Sequence, residues 1–532
     1  MEEKFKGLMV GEPSTLAEEQ SKDSAVDESK NSSKEKSKNL SKEKSKDSTE
    51  EQPDDSADNS DSPIGSHSTT PNSTSTYEYS HEPFLSFQHK IVELAGQMGA
   101  SNISDVMRLK GGSSNRVISA TICCANESAP QIRGVFRIPR FTIWPDDEKA
   151  VTEPYELDRR IYEQLALWSL LAAHGVPAPR ILAFDATAAN AIHSPYTFQE
   201  LANGTRLDEV YEKMSLDGKL SIVDELVRLL DHCESIKFSE AGRIDCVKGP
   251  NDQQTILPNR VGLFGHQRSG ETATAAEIIG FGTGGEPRVP TRPVRDLRDL
   301  LKTQLDAWIT YEIESAPVPK NRFTWNLFRR LQDVMQEMEA LGFFEADLPF
   351  EKGMKEPRNI LYHWDLEPRN ILITPGFETG VIKDVQRWRI SAVLDWDDSL
   401  ILPPILSRKP PIWLWDFSDL DAEINSFVPK DYDGDVDLLP ADRYGENSGR
   451  LSEDDRRIKT YFEANFVRAL SLKNPHLDMA VYHDEAYGRG QWLRRLARFA
   501  LDGFEDNRDA QRFDRFVEDW NRARPTFQTS GI

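Results

Sequence analysis

Hydrophobic positions recur with the spacing of regular secondary structure from residue 84 onward. The first run has apolar residues three and four positions apart, which is the repeat of an amphipathic helix. Its members are Phe84, Phe87, Ile91, Val92, Leu94 and Ala95. Shorter apolar runs separated by Gly, Pro and polar residues follow, as in strands joined by turns, and they are 106–109, 116–123, 135–140, 180–186 and 196–201. The sequence therefore predicts a helix followed by a small antiparallel sheet of five strands.

Helical periodicity dominates the rest of the chain. Between the third and fourth strands, residues 155–174 predict a helix that ends before Pro177, because proline cannot continue a helix. Further helices are predicted at 220–236, 294–314, 326–340, 453–472, 484–501 and 508–522. These stripes predict a second, mostly helical part with its own core.

Two stretches lack this periodicity. Residues 1–80 are dominated by Ser, Lys, Glu and Asp, and the hexapeptide Ser-Lys-Glu-Lys-Ser-Lys occurs at 33–38 and again at 41–46. Such a stretch buries too little apolar surface to offset its ordering entropy, so a disordered tail is predicted. A Gly-, Thr- and Pro-rich stretch at 247–293 predicts a loop-rich insert. The predicted organisation is a tail at 1–80, a first lobe at 81–202 and a second lobe at 203–525.

Composition narrows the class of partner and the compartment. A net charge of -23 and a pI of about 5.0 argue against nucleic acid as the main partner. Four cysteines are too few for a disulfide framework and match no zinc spacing, which fits a reducing compartment. There is no apolar run of about eighteen residues and no apolar signal core at the N-terminus, so neither a membrane span nor secretion is expected. The expected location is the cytoplasm.

Two short segments carry the groups that phosphoryl transfer needs. Asp365 is followed five positions later by Asn370 at the start of an apolar run, and a second apolar run ends on Asp395. Transfer from a nucleotide requires one carboxylate to orient a hydroxyl and accept its proton, and an amide and a second carboxylate to hold Mg²⁺ against the phosphates. Asp365, Asn370 and Asp395 supply these groups in that order. A single Asp-x-x-x-x-Asn is more typical of turn chemistry, so the prediction depends on the pairing of both segments.

Together the segments resemble the aminoglycoside phosphotransferase family, and especially its fungal branch of small-molecule kinase-like proteins. The family motif has the form H-x-D-(L/F)-x-P-x-N-(I/V)-(L/V), followed after a strand by an Asp-Trp pair, and this chain has His363, Asp365, Asn370 and Asp395 in those places. The resemblance covers roughly residues 85 to 520. It implies an α+β, protein-kinase-like fold of two lobes, with a small antiparallel-sheet N-terminal lobe and a mostly helical C-terminal lobe.

The resemblance also implies roles for these residues. Asp365 would be the catalytic base, Asn370 and Asp395 would bind the metal, and Asp397 would be an outer-shell carboxylate or a secondary ligand. We interpret His363 as a residue that orients the loop without carrying a proton. Glu367 departs from the family, because bacterial members usually carry His there, and this leaves the substrate class open.

A phosphate-covering loop is expected between the first two strands. Gly111, Gly112, Ser113 and Ser114 stand there, and small residues let backbone N–H groups approach phosphate oxygens. No Gly-Lys-Ser/Thr follows, so this is not a Walker A loop. By itself the glycine pair is more typical of a plain hairpin turn, and only its place ahead of the catalytic segment favours a nucleotide role.

Further nucleotide contacts follow from the kinase-like resemblance. Arg137 on the third strand would bind the inner phosphates, and the alternative is an exposed strand residue. Its partner on the next helix would be Glu163, with Glu156 as the second choice. The hinge is assigned to 199–202, so main-chain groups of Gln199, Glu200 and Leu201 would bond the adenine edge.

These predictions define an ATP- and Mg²⁺-dependent phosphotransferase acting on a hydroxyl of a small molecule. The alternative is a catalytically weak or inactive kinase-like protein that binds nucleotide as a scaffold. A protein kinase is disfavoured, because neither Asp-Phe-Gly nor Ala-Pro-Glu follows the catalytic segment. In related enzymes the acceptor lies against C-terminal helices. Asp484, Glu485 and Glu505 are therefore candidate amine contacts, although a solvated helix face is the commoner role of such residues.

Overall fold

The computed structural model describes thirteen stretches of the chain, all within the second of its two units, Met1–Thr76 and Tyr77–Ile532. The described residues are 82–109, 115–124, 131–139, 154–244, 247–248, 254–255, 261–262, 296–314, 322–345, 359–376, 387–416, 451–504 and 507–530. The predicted tail at 1–80 and most of the predicted insert at 247–293 lie outside them. No helix within these stretches is both long and apolar enough to cross a membrane.

The first lobe is built on a five-stranded antiparallel sheet. Its strands are β1 (Ala100–Arg108), β2 (Asn115–Cys124), β3 (Ile132–Pro139), β4 (Ile181–Asp185) and β5 (Tyr196–Glu200), in the spatial order β1-β2-β3-β5-β4. Because side chains alternate between the two faces of a strand, β3 buries Phe136 and Ile138 and presents Arg137 to the opposite face. Phe136 packs against Phe198, with ring centroids 4.5 Å apart.

One amphipathic helix covers the buried face of this sheet. Helix α1 (Phe84–Gln97) buries Phe87, Ile91, Leu94 and Ala95, as its spacing predicts. Val92 was predicted on the same face but is 46% exposed, because it follows Ile91 by one residue and therefore points about 100° away. Helix α2 (Pro154–Ala173) links β3 to β4.

Gly134 on β3 is held by close packing of the neighbouring strand. A Cβ added there would lie 2.2 Å from Cζ of Phe198 and 2.8 Å from the carbonyl oxygen of Gln199. We therefore expect Gly134→Ala to lower the free energy of unfolding by about 1–3 kcal/mol, measured by urea denaturation.

Gly96 is a matched control for that substitution. It lies in α1, and an added Cβ would meet nothing within 4 Å. Gly96→Ala should leave stability unchanged or raise it by up to about 1 kcal/mol, because Gly is entropically costly in a helix. Equal losses for the two variants would contradict the packing argument.

The second lobe is mostly helical. Its helices are α3 (Leu207–Val210), α4 (Leu216–Ser235), α5 (Leu297–Glu314), α6 (Arg322–Ala340), α7 (Pro404–Ser407), α8 (Glu453–Ser471), α9 (Met479–Ala486), α10 (Arg489–Asp502) and α11 (Asn507–Ser530). The sequence predicted one helix over 484–501, but the structure has two. The break falls at Gly488, where a Cβ would lie 2.8 Å from Oδ1 of Asp484, so the chain turns there without a side chain.

Short strands in this lobe carry the two segments that the sequence predicts to be catalytic. They are β6 (Thr205–Arg206), β7 (Lys237–Phe238), β8 (Arg243–Ile244), β9 (Val247–Lys248), β10 (Gln254–Thr255), β11 (Val261–Gly262), β12 (Asn359–Tyr362), β13 (Ile371–Gly376), β14 (Arg387–Val393) and β15 (Leu400–Leu402). Strand β13 lies between β14 and β6, and β12 lies between β15 and β7. The loop after β12 leads to β13 and the loop after β14 leads to β15, so both loops connect one three-stranded sheet with the other.

Apolar side chains beneath these strands fix the loops in place. The buried cluster there includes Leu361, Ile371, Val393 and Trp396, and α4 and α8 pack against it. A second cluster joins α5, α6, α10 and α11. The prediction of a kinase-like α+β fold, with a small antiparallel sheet and a mostly helical second part, is confirmed by the architecture. The predicted lobe boundaries stay predictions.

Candidate active site

The loop after β12 is shaped by its own sequence. Strand β12 ends at Tyr362, a turn follows at Trp364 and Asp365, and Pro368–Asn370 form one turn of 3₁₀ helix before β13. Pro368 suits the first position of such a turn because its fixed φ is helical and it needs no N–H donor there. The N–H of Asn370 donates to the carbonyl oxygen of Glu367 at 2.9 Å. Pro368 and Asn370 are buried, so the loop is anchored at its end.

Asp365 and Asn370 contact each other directly. The Asn370 amide nitrogen, Nδ2, donates to the main-chain oxygen of Asp365 and to its Oδ2, both at 2.9 Å. The buried amide therefore fixes the orientation of the carboxylate. The other carboxylate oxygen, Oδ1, accepts from the Arg369 guanidinium at 2.6 Å.

Strand pairing brings Asp395 to the same place. Ile371 on β13 pairs with Val393 on β14, and the N–H of Leu394 donates to the carbonyl oxygen of Asn370 at 2.7 Å. Asp395 follows in the left-handed region, with φ 61° and ψ 46°. Asp tolerates this conformation better than most residues because its short polar side chain can bond locally. The left-handed turn ends the strand, so Asp395 lies beside the start of β13 with Asn370.

His363 connects the two segments. The N–H of Asp365 donates to its Nδ1 at 3.2 Å, and its Nε2 lies 2.8 Å from the carbonyl oxygen of Leu394. One partner is a donor and the other an acceptor, which fits the tautomer that carries its hydrogen on Nε2. Its ring also contacts buried Trp396 edge to face, with centroids 4.7 Å apart. Both nitrogens are occupied, and this arrangement supports an orienting role without proton transfer.

Arg137 of the first lobe contacts the acidic segment after β14. Its Nη2 lies 3.1 Å from Oδ1 of Asp395 and 2.6 Å from Oδ2 of Asp397. Asn115, at the start of β2, also donates to that Asp397 oxygen at 3.4 Å. The Arg137 side chain is only 12% exposed, so the alternative of an exposed strand residue does not describe it. The sheet and the carboxylates predicted to bind the metal therefore meet at Arg137.

Two further predictions on the nucleotide side concern Glu163 and the loop at 111–114. Glu163 lies half-buried on α2, and its assignment as the partner of Arg137 stays a prediction. Gly111, Gly112, Ser113 and Ser114 lie outside the described residues, so the phosphate-covering loop also stays a prediction.

The predicted hinge follows β5. The N–H of Glu200 donates to the Arg180 carbonyl oxygen at 2.8 Å, and the N–H of Leu201 donates to the Arg133 carbonyl oxygen at 3.1 Å. The Gln199 side chain is buried. These two N–H groups are used by neighbouring main-chain oxygens and are not available to adenine, and the hinge assignment stays a prediction.

Sequence reasoning missed two residues of this site. Arg369 contacts Asp365, and its signal was a basic residue four positions after an acidic one, a spacing that brings side chains together on a helical turn. Asn115 contacts Asp397, but the two are separated by 282 positions, and no local pattern indicates such a pair.

The donors fit a hard divalent cation that shares its coordination with phosphates. The Asn370 nitrogen donates to Asp365, which leaves the amide oxygen as its ligand atom, and the Asp395 carboxylate is half-exposed. Mg²⁺ is commonly held by one or two carboxylates together with water and substrate phosphates. Within the described stretches no group of three or more His, Cys, Asp and Glu side chains is placed to hold a metal. A Mg²⁺ site that uses one carboxylate, one amide oxygen and substrate phosphates does not require such a group. Oδ2 of Asp397 accepts from both Arg137 and Asn115. The role of Asp397 as an outer-shell carboxylate or a secondary metal ligand stays a prediction.

Two of the acidic residues predicted as amine contacts, Asp484 and Glu485, have other partners, and Glu505 lies outside the described residues. Arg408 is 8% exposed and binds Glu485 at 2.5 Å and both carboxylate oxygens of Glu234, at 2.8 and 3.0 Å. Two carboxylates on one buried guanidinium keep Arg408 charged and raise its pKa despite burial. Asp484 accepts from the N–H of Arg489 at 3.1 Å, and burial raises the pKa of its carboxyl. Glu485 is thus used inside the fold.

The five-stranded sheet, the helical second lobe and the paired loops carrying Asp365, Asn370 and Asp395 define a protein-kinase-like fold. The sequence model of the phosphotransferase enzyme family (APH) matches residues 135–406, just over half of the chain. The chain belongs to this phosphotransferase family, which confirms the resemblance seen in the motif. The narrower fungal branch stays a prediction.

Solved structures of low identity span most of the chain. A thermostable mutant of aminoglycoside phosphotransferase APH(4)-Ia in its apo form is 13% identical, with a TM-score of 0.38, and the alignment covers 82% of this chain and 98% of that one. The GDP complex of wild-type aminoglycoside 2'-phosphotransferase-IIIa is 12% identical, with a TM-score of 0.37 and coverages of 82% and 98%. A protein described as an aminoglycoside phosphotransferase from Ralstonia eutropha JMP134 is 14% identical, with a TM-score of 0.35 and coverages of 84% and 97%. No curated protein matched the chain.

Proposed function

We propose that the chain is an ATP-dependent phosphotransferase that transfers the γ-phosphoryl group to a hydroxyl of a small molecule. The observation that carries the proposal is the contact set between the two loops. Asn370 fixes Asp365 through its side chain and receives the N–H of Leu394, the residue before Asp395, through its main chain. The base and two metal ligands of a kinase-type site would therefore lie within one hydrogen-bonded unit.

In this mechanism Asp365 performs the proton transfer. Its carboxylate orients the acceptor hydroxyl and takes the hydroxyl proton while the new bond forms from that oxygen to the γ-phosphorus. The bond between the γ-phosphorus and the bridging oxygen breaks, and its electron pair stays on ADP. Asn370 and Asp395 would hold Mg²⁺, which when bound spreads the negative charge of the phosphates. Positioning and electrostatics supply most of the rate.

The nucleotide would lie between Arg137 and the predicted hinge. Arg137 is beside the metal-site carboxylates, and a guanidinium binds phosphate oxygens as a fork, so it would contact the inner phosphates with Glu163 as its helix partner. Main-chain groups near Gln199, Glu200 and Leu201 would bond the adenine. The loop at 111–114 would cover the phosphates.

A screen for the acceptor tests this function. The full chain is incubated with ATP, Mg²⁺ and fractionated metabolite pools, and products are searched by mass spectrometry for the gain of one phosphate. Asp365→Asn protein is the matched control. We expect a phosphorylated product with the wild-type chain and none with the Asp365→Asn protein. A wild-type chain that binds neither ATP nor ADP with Mg²⁺ would overturn it.

One observation favours a second candidate, a nucleotide-binding scaffold without turnover. Arg137 contacts both Asp395 and Asp397, which neutralises carboxylates that a catalytic metal would use. Thermal-shift titration with ATP and Mg²⁺, run beside an ATP-turnover assay, separates the two candidates. Stabilisation without turnover in the presence of every metabolite pool would favour the scaffold.

A further inference from the structure

We propose that Arg369 is a catalytic residue that binds the transferring phosphoryl group, an inference that rests on the proposed function. The guanidinium contacts Asp365 through Nη2, 2.6 Å from Oδ1. Asp365 has only two carboxylate oxygens, and Asn370 binds the other one. Arg369 therefore binds the carboxylate oxygen that does not face the buried amide, and an acceptor hydroxyl at Oδ1 would bind beside the guanidinium or in its place.

The two carboxylate oxygens of Asp365 have different surroundings. Oδ2 faces a buried amide that also bonds the main chain of Asp365, so it belongs to the fixed part of the loop. Oδ1 faces Arg369, whose side chain is 52% exposed. An acceptor arriving from solvent would consequently meet Oδ1 and the guanidinium together.

A purely structural role for this ion pair is weak on physical grounds. Exposed pairs four residues apart contribute little to stability. The loop is already held by Asn370, by His363 and by the buried 3₁₀ turn Pro368–Asn370. A hydroxyl can therefore displace the guanidinium from Oδ1 at small cost.

Once displaced, the guanidinium stays beside the reacting atoms. Its backbone is fixed by the neighbouring buried residues Pro368 and Asn370, so the side chain can move only within its own reach. In the proposed reaction the attacking oxygen is hydrogen-bonded to Oδ1, and the γ-phosphorus would be the atom to which that oxygen forms its new bond. Arginine has five N–H donors in a planar fork, and a donor released from Oδ1 can bind an oxygen of the phosphoryl group. Arg369 keeps its own proton throughout, and the hydroxyl proton goes to Asp365.

The test measures binding of a phosphoryl mimic and needs no known acceptor. Wild-type, Arg369→Ala and Arg369→Lys proteins are titrated with ADP and Mg²⁺, with and without aluminium fluoride, which occupies the place of the transferring group. ADP affinity should change by less than about threefold in both variants. The added affinity from aluminium fluoride should fall by about 30-fold or more in Arg369→Ala, and by less in Arg369→Lys, which keeps the charge without the fork.

Arg228→Ala is the matched control. Arg228 is a more exposed arginine on α4 that pairs with Glu225 at 2.6 Å, and its loss should change neither titration. Unchanged aluminium fluoride binding in Arg369→Ala would overturn the inference and leave the proposed function standing. A wild-type chain that binds no nucleotide would overturn both.

Discussion

Asparagine in place of Asp365 is expected to lower kcat by about 10³-fold and to change the Kd for Mg²⁺-ATP by less than about threefold. The substitution keeps the size of the side chain and its ability to accept from the Asn370 amide, which lies 2.9 Å from Oδ2. It removes the negative charge that draws the hydroxyl proton. Since the bound nucleotide does not depend on that proton, the loss belongs to the chemical step. Steady-state kinetics on an identified acceptor and calorimetric titration of nucleotide measure the two quantities.

Asp306→Asn controls for a general effect of losing one carboxylate. Asp306 lies on α5 and pairs with Lys302 four residues away at 2.9 Å, the same kind of exposed pair that Asp365 makes with Arg369. Its variant should keep full kcat. Full turnover by Asp365→Asn on a confirmed acceptor would show that another group takes the proton, and the assignment of the base would be wrong.

Local pattern was enough to predict most of the fold. Helix α1 follows from spacing because one of its faces lies on the core, and strands β2 and β5 follow from apolar runs bounded by turn residues. The break between α9 and α10 was not predicted, because the helical spacing over 484–501 was given more weight than Gly488, which lies between the two helices.

The convergence of Asp365, Asn370 and Asp395 was predictable because the three residues are close in sequence. Asp365 and Asn370 share one loop, and β13 and β14 pair as neighbours along the chain, so Asp395 returns to Asn370 through an antiparallel ladder. The contacts of Arg137 were not predictable in the same way. They join a strand of the first lobe to residues about 260 positions later, which no spacing rule reaches. The structure was therefore needed to show which carboxylates Arg137 contacts, and the catalytic and metal-binding roles of these residues stay predictions.

Replacement of Asp395 by asparagine is expected to weaken Mg²⁺-ATP binding by about 100-fold. Asparagine is the suitable substitution because residue 395 has φ 61°, a conformation that Asn tolerates as Asp does. Alanine would add backbone strain of about 1–2 kcal/mol and confuse the result. The charge lost is the one proposed to bind the metal, so the effect should require Mg²⁺. Titration of ATP in Mg²⁺ and again in excess chelator measures this dependence, and wild type and variant should differ by less than about threefold in chelator.

Asp397→Asn distinguishes a metal ligand from a partner of Arg137. Both aspartates contact that guanidinium, at 3.1 Å and 2.6 Å, but Asp397 also accepts from Asn115. If Asp395 acts through the metal, its variant loses affinity only when Mg²⁺ is present, whereas Asp397→Asn shows a smaller loss that persists in chelator. Equal losses for Asp395→Asn with and without Mg²⁺ would mean that this carboxylate acts by positioning Arg137, and its role as a metal ligand would be refuted.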